Sequence, residues 1–268
     1  MKRLGISFLI IITFVIFFIF LYNHNKLKEY SITYNDFDGI NIRVYTSKYN
    51  KELFDQIEEI IKNYDLKELF DYGNNVIKKT NGYVSIYRKE IDDIFNYSKI
   101  NKVKPVYKNN NEISYNSIIK SYIINNIKQL IEKYNIDSYI INMKDVSLVG
   151  KAHNSTFTIG IQKPFKIDEY LTLLNLNNKA VSTVGPYQNY FVLNDNIYHN
   201  LINLKTLKQE DNYKSITVIG DDILEVHMLS NYLYFLSIEE GKEILKQYNY
   251  DGIWYTNENE LIFTNDFK

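Results

Sequence analysis

Side chains able to do chemistry are few in this chain and sit in few places. Its 268 residues include no cysteine and four histidines. Thiolate nucleophiles, disulfides and Cys-ligated zinc or iron–sulfur sites are therefore excluded, and any metal must be held by His, carboxylate, amide or carbonyl groups. His227 and Asn231 stand four residues apart in DDILEVHMLSNYL, a segment with helical apolar spacing. On a helix such a pair lies on one face, about 5 to 6 Å apart, and can reach one ion or one ligand group. An imidazole suits zinc or another transition metal better than magnesium, which takes carboxylate or phosphate oxygens. The competing reading makes His227 a satisfied polar residue on a helix lined by Leu224, Val226, Met228 and Leu229.

The elements that must position these groups follow from periodicity. Ile40, Ile42 and Val44 alternate with polar neighbours and predict a half-buried strand. Leu53, Phe54, Ile57, Ile60, Ile61 and Tyr64 predict a helix with one apolar stripe. Asn81-Gly82 marks a turn before a short strand around Val84 and Ile86, and a second helix runs from Arg88 to Tyr97. The isoleucines at 119, 123 and 127, with Leu130, Ile131 and Tyr134, predict a third. A run of strands follows: Tyr139 to Ile141, Val146 to Val149, Thr156 to Gln162, Ala180 to Val184, Tyr190 to Leu193, Ile197 to His199 and Ser215 to Ile219, with Asp195-Asn196 as a hairpin turn. A helix from Asp222 to Leu236 comes next, and Ser237 with Glu240 forms a capping box for another. The closing hairpin pairs Ile253 to Thr256 with Leu261 to Thr264. Strands bunch together instead of alternating with helices, so the class is α+β, as a single domain.

Composition agrees with one globular unit: 45% hydrophobic, 15% aromatic, net charge −1. Acidic and basic residues are interleaved, which leaves no cationic footprint for nucleic acid. At the amino end Leu4 to Tyr22 carries no charge, enough at about 1.5 Å per residue to span roughly 28 Å of hydrocarbon. Lys2 and Arg3 precede it, so an uncleaved single-pass anchor with the rest of the chain outside the cytoplasm is the expectation. A cleaved signal peptide is the alternative, but FFIFLYNHN offers no small-residue cleavage site.

From Asn116 to Gly252 the order and spacing resemble the FAD:protein FMN transferases of the ApbE type. The residues that carry the resemblance are AVSTVGPYQNYF from Ala180, IYHNLINLKTL from Ile197 and SITVIGDDILEVHMLSNYLYFLSIEEG from Ser215. The resemblance implies an α+β domain over residues 24–268, with a mixed or antiparallel sheet flanked by helices, after an anchor at 1–23. It implies FAD as substrate, a divalent cation (magnesium in the family) at His227 and Asn231, and a flavin-acceptor protein as partner. The family pattern has Asp and Thr at these two positions. Lys120 in IIKSY matches a lysine set against the bound nucleotide, with Ser121 in place of the family glycine. Ser182, Thr183, Gly185 and Tyr187 match a Ser/Thr-Ser-Gly-x-Tyr turn, so Thr183, Gly185 and Tyr187 join Lys120 as expected flavin-nucleotide contacts. Asn142-Met143-Lys144-Asp145 replaces the family's Gly-Gly-Asp turn. Asn200 falls where the family carries its histidine base, and an amide is no proton acceptor at neutral pH. The neighbouring His199 would face the other side of a strand. Two functions stay open: a membrane-anchored transferase moving FMN from FAD onto a Thr or Ser hydroxyl, or a flavin- or partner-binding module that has lost catalysis.

Overall fold

A computed structural model of the chain describes residues 26–152 and 155–264. The expected anchor, Leu4 to Tyr22, lies outside the described residues. Among the described residues no helix is long and apolar enough to cross a membrane.

Two strands, β1 (Lys28–Tyr34) and β2 (Ile40–Thr46), lead into the helices α1 (Lys51–Lys62), α2 (Leu66–Lys79), α3 (Lys89–Asn101) and α4 (Ile119–Lys133). Strands follow in succession: β3 (Tyr139–Met143), β4 (Val146–Val149), β5 (Phe157–Gln162), β6 (Tyr170–Leu176), β7 (Lys179–Val184), β8 (Tyr190–Leu193), β9 (Asn196–His199), the two-residue β10 (Ile202–Asn203) and β11 (Lys208–Gln209), and β12 (Ser215–Gly220). Helices α5 (Ile223–Leu233) and α6 (Ile238–Tyr248) precede β13 (Asp251–Tyr255) and β14 (Leu261–Phe263). Among the described residues β1, β2, β3, β4, β7, β12, β13 and β14 pair in that order as one eight-stranded sheet. Each neighbouring pair is antiparallel, so the expected α+β domain takes the antiparallel form.

The middle strands are buried on both faces, and alternation assigns each face its cover. Ile141, Val146, Ala180, Ile216 and Val218 point into the core with α1, α4 and α5. Ile140, Val149, Val181 and Ile219 point the other way, against Ile161, Leu174 and Leu176 of the β5–β6 hairpin. That hairpin is why every residue of β12 is buried, Ser215 and Thr217 included.

Two local expectations are corrected. Val84 and Ile86 belong to no strand; they are buried in an irregular segment held by Thr80, whose hydroxyl donates to Val76 O (2.8 Å) and accepts from the Val84 amide (3.2 Å). The hairpin turn between β8 and β9 is Asn194-Asp195, one residue earlier than expected, with Leu193 opposite Asn196. Both turn residues are left-handed, φ 48° and 62°, the geometry that suits a two-residue hairpin and that Asn and Asp tolerate.

Candidate functional site

Helix α5 begins at Asp222, whose carboxylate accepts from the amides of Leu224 (2.8 Å) and Glu225 (3.0 Å). That cap fixes the rotation of the helix, so that His227 and Asn231 face a cleft of about 460 Å³. Asn231 Nδ2 donates back to His227 O (2.9 Å). His227 Nδ1 meets Ser121 Oγ of α4 at 2.9 Å, and the Ser121 hydroxyl donates to Ile118 O (3.0 Å). Tyr72 Oη also approaches Ser121 Oγ, at 3.3 Å. Burial pushes the His227 pKa down to about 4, with Asp145 opposing the shift and Lys120 adding to it. The ring is neutral at neutral pH.

Lys120 sits beside Ser121 on α4 and forms an ion pair with Asp145, their side chains 19% and 12% exposed. Asp145 comes from the two-residue hairpin between β3 and β4, with Met143 opposite Val146. Lys144 holds φ +57° there, the left-handed position where such turns favour glycine. The Asp145 carbonyl accepts from Thr183 N (2.9 Å), tying this turn to β7.

The expected contacts divide between two hollows. Lys120, His227 and Asn231 line the larger cleft with Lys144, Asp145 and Gln188. Thr183 and Tyr187 line a second hollow of about 230 Å³ under the β5–β6 hairpin, shared with Ile159 and Ile161. Lys144, Asp145 and Gln188 border both, making the ridge between them. Strand alternation explains the division: Thr183 faces away from α5 and bonds Thr217 Oγ1 (2.9 Å), while Ser182 faces α5 and bonds Ser230 Oγ (2.8 Å). Gly185 lines neither hollow. Its φ of −171° is extended, so a tight turn is not what requires glycine here. The reason is close approach: a Cβ would come within 2.6 Å of Lys214 O and 2.7 Å of the Tyr187 ring.

Asn200 lines the larger cleft, and His199 is turned from it, as strand geometry requires. His199 is fully buried, with Nδ1 accepting from the Leu201 amide (3.2 Å) and Nε2 donating to Asp211 (2.8 Å). Burial lowers its pKa, partly offset by Asp211.

A wall of the cleft that sequence reasoning did not single out comes from α3 and the loop after it. Arg88 bonds Asp92 (2.9 Å) and reaches Asn200 O (3.2 Å). Asp92 also accepts from Ser114 Oγ (2.6 Å) and Asn116 Nδ2 (3.1 Å). Lys99 donates to Asn189 Oδ1 (2.7 Å). The available signal was the Arg88–Asp92 spacing of four at a helix start.

This donor set does not suit magnesium. Among the described residues there is no group of three His, Cys, Asp or Glu side chains able to hold a metal. The helix pair supplies a neutral imidazole and an amide, and Asp145 is already neutralised by Lys120. A small hard dication asks for several anionic oxygens.

With the geometry described, the chain can be set beside known proteins. Its fold is that of the ApbE-type flavin transferases. The Thermotoga maritima ApbE protein superposes with a TM-score of 0.76 at 13% identity, covering 88% of this chain and 96% of that one. The Pseudomonas stutzeri flavinyl transferase ApbE, apo form, gives 0.71 at 14% identity, covering 89% and 94%. In sequence, the FAD:protein FMN transferase of Buchnera aphidicola from Schizaphis graminum is 26% identical over 251 residues, 90% of this chain and 73% of that protein. The Klebsiella pneumoniae FAD:protein FMN transferase is 28% identical over 157 residues, 57% of this chain and 48% of that protein. The profile of the ApbE family matches residues 65–254, and the chain belongs to that family. The match takes in α2 and α3, and so the Arg88–Asp92 wall.

Proposed function

We propose that this chain binds FAD in the larger cleft and transfers its FMN portion to a Thr or Ser hydroxyl of a partner protein, at low turnover. The observation that carries the reading is convergence: Lys120, Asp145, His227 and Asn231, from three separate elements, line one cleft. Relatives named FAD:protein FMN transferase supply the reaction class. A cationic cleft that adjoins a smaller hollow of mixed lining, in which Ile159, Ile161, Val181 and Tyr187 stand among polar groups, suits a ligand that carries a diphosphate and a ring system.

In the reaction the acceptor oxygen forms a bond to the FMN phosphorus, the bond to the bridging diphosphate oxygen breaks, AMP departs and the hydroxyl proton must be taken up. Positioning and charge neutralisation supply most of the catalysis in such transfers. Cations along the cleft favour the diphosphate, but Asn200 offers no base, and His199 is committed to Asp211. Low turnover follows. Incubating the chain with FAD and a flavin-acceptor protein, then reading in-gel flavin fluorescence, tests this; covalent label above a no-enzyme control is expected, and its absence rejects transfer. The amide at position 200 favours one second reading, a module that binds flavin or a partner and transfers nothing.

The reading also includes a membrane anchor at residues 1–23 and a domain from residue 24 placed outside the cytoplasm. Its support is the uncharged run Leu4 to Tyr22 behind Lys2 and Arg3. Protease accessibility of the domain in intact cells or spheroplasts checks the topology, and complete protection would contradict it.

A further inference from the structure

We infer that the cleft binds the diphosphate of its nucleotide without a divalent cation, the ammonium of Lys120 standing where a metal would otherwise balance charge. The inference rests on the flavin-nucleotide reading above and concerns the same site.

Charge closure in the cleft decides which ion it accepts. A carboxylate at position 227 would face Asp145 across the cleft, and two carboxylates so placed need a cation between them. Here position 227 is a buried imidazole, neutral at neutral pH and held at Nδ1 by Ser121 Oγ at 2.9 Å, so it brings no negative charge to the cleft. Asn231 spends its amide N–H on His227 O at 2.9 Å. The negative charge left at this centre is Asp145, and Lys120 already pairs with it, largely out of solvent. An arriving dication would meet one carboxylate, that carboxylate's own counter-ion, and neutral donors. Its dehydration cost would go largely uncompensated.

An arriving dianion meets the opposite field. Lys120, Arg88, Lys99 and Lys144 all line the cleft, against Asp92 and Asp145 among its described side chains. Arg88 and Asp92 are fixed on each other and on Asn200, Ser114 and Asn116, and Lys120 directly precedes the Ser121 that meets His227, which sets its ammonium stem beside the substituted pair. Its flexible four-carbon stem lets one ammonium share its donors between Asp145 and a phosphate oxygen.

The test is binding, followed by flavin fluorescence for FAD and by calorimetry for ADP, on the full chain in detergent, at matched ionic strength with EDTA or with magnesium. The expected outcome is FAD affinity that differs by less than about threefold between the two conditions and falls as salt rises. Lys120→Gln should weaken both ligands by about tenfold while Lys120→Arg retains most affinity. The double variant His227→Asp/Asn231→Thr should make binding magnesium-dependent. FAD binding that EDTA abolishes, or that magnesium improves by about tenfold or more in the unmodified chain, overturns the inference and leaves the flavin reading standing. ADP binding in EDTA without FAD binding supports the metal-free diphosphate site and sinks the flavin reading. Binding of neither ligand overturns both.

Discussion

The two walls of the cleft are built on different principles. On the α4–α5 wall the charged and amide groups are held mainly in pairs, Lys120 with Asp145 and Asn231 with the His227 carbonyl, while Ser121 Oγ gathers His227 Nδ1, Ile118 O and Tyr72 Oη. On the α3 wall Arg88 and Asp92 sit in a network in which the carboxylate receives three different side chains and the guanidinium reaches across to Asn200. A pairwise wall can exchange a charged residue for a neutral one while disturbing few partners. A networked wall cannot, because removing one member strands the rest. The difference teaches where the chain has room to vary its chemistry and where it is bound to its fold.

The sharpest way to break the comparison is to cut the network. Arg88→Met leaves Asp92 as an uncompensated charge with its side chain 11% exposed, so a loss of about 3–5 kcal/mol is expected in urea unfolding. Arg88→Met/Asp92→Leu should recover part of it. If the single variant is as stable as the unmodified chain, the wall is no network.

The pairwise wall should respond to pH. The His227 pKa is lowered to about 4 from an ordinary 6.5, so below pH 6.5 the unfolded chain takes up a proton that the folded chain refuses. Its contribution is fully present above pH 6.5 and is lost as pH falls toward 4, by roughly 3 kcal/mol in all. His227→Gln should flatten that part of the pH–stability curve, and an unchanged slope would place the titration elsewhere. Ser121→Ala removes the hydroxyl that partners the buried imidazole, with an expected cost of about 1–3 kcal/mol and no comparable change for Ser117→Ala, whose hydroxyl bonds a backbone carbonyl. At the outer edge of the same wall, Lys79 pairs with Glu225 at 3.1 Å with side chains 38% and 29% exposed. Lys79→Ala should cost no more than about 1 kcal/mol, diminishing with salt.

Most of the sheet and the helices that cross it were legible from periodicity, because β2, β4, β7 and β12 carry clean apolar patterns and α1 and α4 carry stripes. Three elements longer than two residues were not, each for a physical reason. Helix α2 contains Gly73-Asn74-Asn75, which reads as a turn. The glycine is there because a Cβ would meet the Ile86 side chain at 2.6 Å. Strand β1 is a largely exposed edge, so burial imposes little pattern on it. Strand β6 keeps Tyr170 and Leu173 on its exposed side, which blurs its alternation.

At the site, sequence order brought Lys120, His227 and Asn231 to one cleft. It did not foresee that Thr183 and Tyr187 line a separate, adjoining hollow, because a strand's alternation sends neighbouring residues to opposite faces and that hollow exists only once β5 and β6 fold over. It passed over Arg88 and Asp92, because an i, i+4 ion pair is common on exposed helices. Only the Ser114–Asn116 loop, distant in prediction and adjacent in space, turns that pair into a wall.

The most direct measurement is a crystal structure of the chain with FAD, grown in EDTA. The account predicts the diphosphate in the larger cleft, an oxygen within hydrogen-bonding distance of Lys120 Nζ, and no metal between it and His227. A diphosphate seated away from Lys120, or bridged to Asp145 by a metal retained through EDTA, would contradict it.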